Sequence, residues 1–199
     1  MARQYFNGLL GDSLITPIAG VSPGTTATFL LSNIAAGTGG QSAKFLPLPY
    51  GQNAPSPGQV FHMCVGGLFT SVAGTFIFNV FHGSGTSATG GGTALGASQT
   101  ITGLAYTSGF FRVEGDLIYR SISEVAGAST AWFNGTVITG GPAANTNAGQ
   151  VYVLGSTAAV NVDTTGQTAG AFGAMNVFVT PGTTGSTFTP EYAYIYSMN

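Results

Sequence analysis

The sequence predicts an all-β protein, an antiparallel sandwich or jelly roll with an extended N-terminal arm. Three observations carry this expectation. Short segments rich in β-branched and aromatic residues alternate with period two. Clusters of Gly, Pro, Asn and Ser bound them, and glycine alone supplies 32 of 199 residues. No window combines helical apolar spacing with good helix formers, and residues 121–128, the one region that approaches it, are interrupted by Gly127. At most a turn of helix is expected there.

Residues 1–24 differ from the rest: Tyr5, Phe6, Leu9, Leu10, Leu14, Ile15 and Ile18 are apolar but broken by Gly and Pro, which reads as an extended arm. So much apolar surface needs cover, either from a partner or neighbouring subunit or by folding back on its own sandwich. Residues 25–199 form the sandwich domain. Strands are expected, in order, at residues 27–31 and 43–48. A third, at 59–68, opens after the Pro57-Gly58 turn and closes on Gly66-Gly67, and a fourth at 74–82 is rich in Phe and Val. Others follow at 99–104, 110–122, 131–139, 151–154, 159–163, 172–180 and 188–197. About ten short strands at such spacing indicate a sandwich or jelly roll. The Gly/Ser/Thr segments 83–96, 140–149 and 164–170 are expected as connecting loops.

Charged residues are 5% of the chain, against roughly a quarter in ordinary soluble domains. Ser, Thr, Asn, Gln and Gly must solvate the surface, or other subunits must bury it. Lys44 is the only lysine, and Arg3, Arg112 and Arg120 the only arginines, so phosphate neutralisation gives little affinity and nucleic acid is not an expected partner. The stretch from Gln4 to Ala43 lacks Lys and Arg but is broken by Asp12, Pro17 and Pro23, which excludes a spanning helix of about 20 apolar residues. Gly8, Gly11 and Asp12 likewise break any signal-peptide apolar region, so synthesis in the cytoplasm without export is expected. Cys64 is the single cysteine and has no intrachain partner for a disulfide.

The motifs that resemble catalytic chemistry lack its parts. Gly20-Val21-Ser22-Pro23-Gly24 matches the text of a nucleophile elbow, yet the residue after the serine must donate an N–H and proline has none. His62 and Cys64 share one strand face, and His82 lies on the next strand, a set that suits a metal or a Cys–His pair. A structural metal wants a fourth ligand, however, and a buried cysteine ordinarily packs as a small hydrophobe, so no metal and no cofactor are assigned. Arg112, Glu114, Asp116, Arg120 and Glu124 hold half of the ten formal charges. The first four fall on one face of a strand opposite Val113, Leu117 and Tyr119, and carboxylates flanked by arginines there read as an ion-paired face. Tyr192, Tyr194 and Tyr196 recur at every second position with Ala193 and Ile195 facing the other way. Such a stripe suits a subunit interface or a sugar platform, or else lines the edge of the domain's own core. No phosphate loop, dinucleotide fingerprint or Cys-x-x-Cys is present.

A series of short motifs runs through the chain from about residue 26: Pro57-Gly58-Gln59-Val60-Phe61 and Gly66-Gly67-Leu68, then Phe111-Arg112-Val113-Glu114-Gly115-Asp116-Leu117 through Arg120-Ser121, then Val162-Asp163-Thr164-Thr165 and the end from Phe172. In these the chain resembles the jelly-roll structural proteins of tailed bacteriophages, a tumour-necrosis-factor-like sandwich found in head decoration proteins, head fibres and tail appendages. The chain departs from that pattern between Met175 and Thr180, where the family usually carries a tryptophan. The resemblance implies a homotrimeric jelly roll on the exterior of the virion, and a capsid decoration or cement protein rather than an enzyme. Tyr5, Phe6, Leu9, Leu10 and Leu14 would bind the major capsid protein or another virion protein, and Tyr192, Tyr194, Tyr196, Arg112 and Glu114 are the expected subunit-interface residues. The alternative is a receptor- or glycan-binding module of a head fibre or tail appendage.

Overall fold

The computed structural model describes residues 9–12, 25, 28–31, 46–48, 54–72, 74–83, 92–103, 105–141, 149–165 and 174–198. They form thirteen strands and, among the described residues, no helix: β1 (Leu9–Asp12), β2 (Thr28–Phe29), β3 (Leu46–Pro47), β4 (Val60–Ser71), β5 (Gly74–His82), β6 (Thr93–Ser98), β7 (Ile101–Gly103), β8 (Tyr106–Ser121), β9 (Ser129–Gly140), β10 (Gln150–Gly155), β11 (Val160–Val162), β12 (Ala174–Pro181) and β13 (Thr187–Ser197). Neighbours run in the order β1-β13-β4-β8-β9-β10-β6-β5-β12-β2, with β11 on β9, β3 on β12 and β7 on β5. The pairings are antiparallel.

Rings of β5 meet rings of β4, β8 and β13, strands far from it in the ladder, so the arrangement is sandwich-like, with β5 facing these strands across a core of phenylalanine rings. Phe188 of β13 stacks on Phe69 of β4 at 5.7 Å and meets Phe76 and Phe78 of β5 and Phe111 of β8 edge-on at 5.8 to 5.9 Å. Phe78 also stacks on Phe111 across the layers at 5.7 Å. Period-two alternation puts these rings there: on β8, Phe111, Val113, Leu117 and Tyr119 are buried while Arg112, Glu114, Asp116 and Ile118 lie outward.

The expected strands from residue 59 onward are present, and β8 begins earlier than expected, at Tyr106. One expectation needs correction. Residues 83–96 are not all loop, because β6 begins at Thr93, where Leu95 packs into the core. Of the two arrangements open for the arm, its segment β1 takes the one that folds back: it pairs with the edge of β13, Leu9 opposite Tyr196 and Asp12 opposite Tyr194. The possible helical turn is a reverse turn closed by the Ala128 N–H donating to the Val125 carbonyl, with Gly127 at φ 71°.

Candidate functional site

The chemistry-bearing side chains gather on the outer face of β13, β4, β8, β9 and β10. In an antiparallel sheet, residues directly opposite one another point to the same side. Three registers therefore define rows across this face: Tyr196, His62, Asp116 and Asn134; Tyr194, Cys64, Glu114, Thr136 and Val153; and Tyr192, Gly66, Arg112, Ile138 and Val151. One end of each row is aromatic, its middle is polar, and the second and third rows end in aliphatic residues.

The tyrosines are placed by β13. Ala193 and Ile195 enter the core, which turns Tyr192, Tyr194 and Tyr196 outward with their rings stacked at 6.5 and 6.1 Å between centroids. A bulge between Pro190 and Tyr192 bends the strand. There the tip of the Tyr192 ring takes the space that a Cβ would occupy at Gly66, so the absence of a side chain on β4 lets the ring lie across the strand. Cys64, the next outward residue of β4, is 0% exposed. Burial pushes its thiol upward, opposed by hydrogen bonds from Tyr194 and Arg112. Burial also raises Tyr194, and its hydrogen bond with Cys64 adds to the shift. A thiol held protonated in this way is a poor nucleophile.

Two contacts join titratable side chains on this face. Arg112 and Glu114 form an ion pair along β8. His62 Nδ1 and Asp116 Oδ1 lie 2.7 Å apart between β4 and β8, and the His62 ring packs on Tyr196 at 5.2 Å. Beside them Leu68, Phe110, Val151, Val153 and Tyr192 are between 41% and 66% exposed, unusually open for large apolar side chains on neighbouring strands.

The structure thus brings Tyr192, Tyr194, Tyr196, Arg112 and Glu114 together on one face. Of the expected arm residues, Leu9 and Leu10 lie in β1, while Tyr5, Phe6 and Leu14 lie outside the described residues. His82 does not join His62 and Cys64: it points into the core, where its Nε2 meets the Tyr119 hydroxyl at 2.8 Å. No group of three His, Cys, Asp or Glu side chains suited to a metal occurs among the described residues. Cys64, Gly66, Leu68, Phe110, Ile138, Val151 and Val153 were not anticipated as parts of the face. Their grouping depends on strand register, which local sequence does not state. No described helix is long and apolar enough to cross a membrane. Comparison of the chain with protein-family models, with curated proteins and with solved structures gave no match.

Proposed function

We propose that this protein is a non-enzymatic structural virion protein of a tailed bacteriophage, a jelly-roll subunit that assembles as a homotrimer and binds the outside of the major capsid shell as a decoration or cement protein. The observation that carries the reading is the outer sheet face, which is broad and rich in tyrosine and aliphatic residues, with Arg112 paired to Glu114 and His62 in contact with Asp116. A face of this kind gains little from binding a charged ligand. It loses apolar exposure when it packs on a similar neutral surface, and charge depletion with tyrosine enrichment is the composition of an interface centre. The glycan-binding alternative is less well supported, since Arg112, Glu114, His62 and Asp116, which could read sugar hydroxyls, are engaged in pairs.

The reading is tested by sedimentation of the full chain and of a Tyr192→Ser/Tyr194→Ser variant. The wild type is expected to sediment as a trimer, and the double substitution to weaken association at least tenfold while leaving the thermal melt of the monomer within a few degrees. A wild type that remains monomeric at high concentration and does not bind phage heads would overturn the proposal. For the arm, the useful truncation removes residues 1–8, because a longer one would also remove β1 and uncover β13. This truncation is expected to leave the trimer intact and to abolish binding to expanded heads.

A further inference from the structure

His82 ends β5 on the face that sends Phe76, Phe78 and Val80 into the core, and it is 2% exposed. Its Nε2 lies 2.8 Å from the hydroxyl of Tyr119, a fully buried residue of β8 in the facing layer. The two rings meet edge to face with centroids 5.9 Å apart. The contact is a polar bridge through an otherwise phenylalanine-lined interior, at the end of the sandwich where β8 finishes. The chain after β11 closes this end: the buried Asp163 carboxylate accepts hydrogen bonds from the Thr165 N–H and hydroxyl at 2.8 and 2.7 Å, and the Ser129 and Thr164 hydroxyls lie 2.7 Å apart. Among the described residues, Tyr119 and Asp163 are the ionisable groups set against His82. Its neighbours within the sheet, Thr93 on β6 and Met175 on β12, carry none.

A neutral imidazole and a hydroxyl satisfy each other, since each has a donor and an acceptor. An imidazolium has two donors and no acceptor. With the Tyr119 O–H donating to a neutral Nε2, protonating that nitrogen sets its new N–H against the hydroxyl or leaves the hydroxyl proton seeking another acceptor in a dry site, and in either tautomer protonation places a charge in the core. We propose that His82 and Tyr119 form a proton-operated latch between the two layers, which the neutral imidazole closes and the imidazolium opens at the end bounded by the Asp163 corner.

The direction of the pH effect follows from burial, which holds His82 down to about 4 from 6.5, with Asp163 acting against it. The unfolded chain therefore takes the proton first. The latch contributes fully above about pH 6.5, and its contribution is lost as pH falls toward 4. With these two values the folding equilibrium weakens about 100-fold between pH 7 and pH 4 from this group alone.

The test is a ring-proton NMR titration of the full chain, feasible because it has two histidines, with a His62→Asn variant to assign them. It is paired with amide exchange at pH 7 and pH 4.5 and with urea denaturation across the same range for the wild type and His82→Gln. The expected results are a His82 ring that stays neutral to about pH 4, faster exchange near His82 and Tyr119 before the rest of the core responds, and a flattened acid response in His82→Gln. If that variant does not fold, the wild-type titration and exchange decide. A His82 that titrates near its ordinary value in the folded protein, acid exchange that rises uniformly, or a His82→Gln variant with the wild-type acid response would overturn the latch.

Discussion

Gly66 and Gly67 are adjacent on β4 but face opposite ways, so alanine at each position should have different consequences. A Cβ at Gly66 would run into the ring tip of Tyr192, a side chain 41% exposed that can rotate away. A Cβ at Gly67 would collide with the Thr189 carbonyl oxygen and lie 2.8 Å from Pro190 Cα and 2.9 Å from the Glu191 nitrogen, all backbone of the bulged part of β13. Overpacking against atoms that cannot rotate aside costs about 1–3 kcal/mol, while replacing glycine within a strand returns about 0.5–1 kcal/mol. Gly67→Ala is therefore expected to lose about 1–2 kcal/mol, roughly 2–8 °C in Tm for a chain of this length. Gly66→Ala should stay within about 0.5 kcal/mol of the wild type, since only Tyr192 must move. In the proposed trimer it should nevertheless weaken self-association, because the displaced ring no longer lies across β4. Urea and thermal melts, with sedimentation for association, measure both effects. If Gly66→Ala is the more destabilising, or Gly67→Ala melts with the wild type, the assigned packing of β13 on β4 is wrong.

Phe188→Ala empties the centre of a cluster of four other phenylalanine rings, and a loss of about 3–5 kcal/mol is expected in denaturant titration. A loss below about 2 kcal/mol would show that these rings do not form one core. Cys64, buried beneath the tyrosines with its thiol shifted upward, should react with a thiol reagent at pH 8 only as fast as the structure opens, and completely in denaturant. Reaction of the folded protein at the rate of a free thiol would contradict that placement.

The parts of the fold legible in the sequence are those in which one face of a strand is buried. β8 shows this best, because its burial alternates residue by residue and its charges fall on the outward positions. Tyr192 to Tyr196 were readable for the same reason. β6 was not, since Thr-Ala-Leu-Gly-Ala-Ser has neither aromatic nor strongly β-branched character and depends on Leu95 together with pairing to β5 and β10. β1 was hidden by its brevity and its glycine, its pairing on β13 being visible only in three dimensions. The placement of His82 failed for a different reason. β4 and β5 are consecutive in the chain, which suggested that they are neighbours, yet β4 pairs with β13 and β8 while β5 pairs with β6, β7 and β12 in the opposite layer. The connection crosses between layers, so period-two reasoning puts His82 on the correct face of its own strand but cannot say which strand lies opposite.

For the proposed assembly, the way a partner could meet the tyrosine stripe is constrained by the edge on which the stripe sits. A bare edge strand invites another chain to add a strand. Over Tyr194 to Tyr196 that edge is occupied by β1, and further back Pro190 has no N–H to offer and the bulge breaks the regular register. Strand addition along β13 is therefore obstructed, and the stripe can be engaged through its side chains from above the sheet. The same geometry joins the tyrosines to Leu68, Phe110, Ile138, Val151 and Val153 in one surface reaching across to β10. A partner lying flat on that surface would cover both its aromatic and its aliphatic parts, whereas a partner added at the edge would leave the aliphatic part in water.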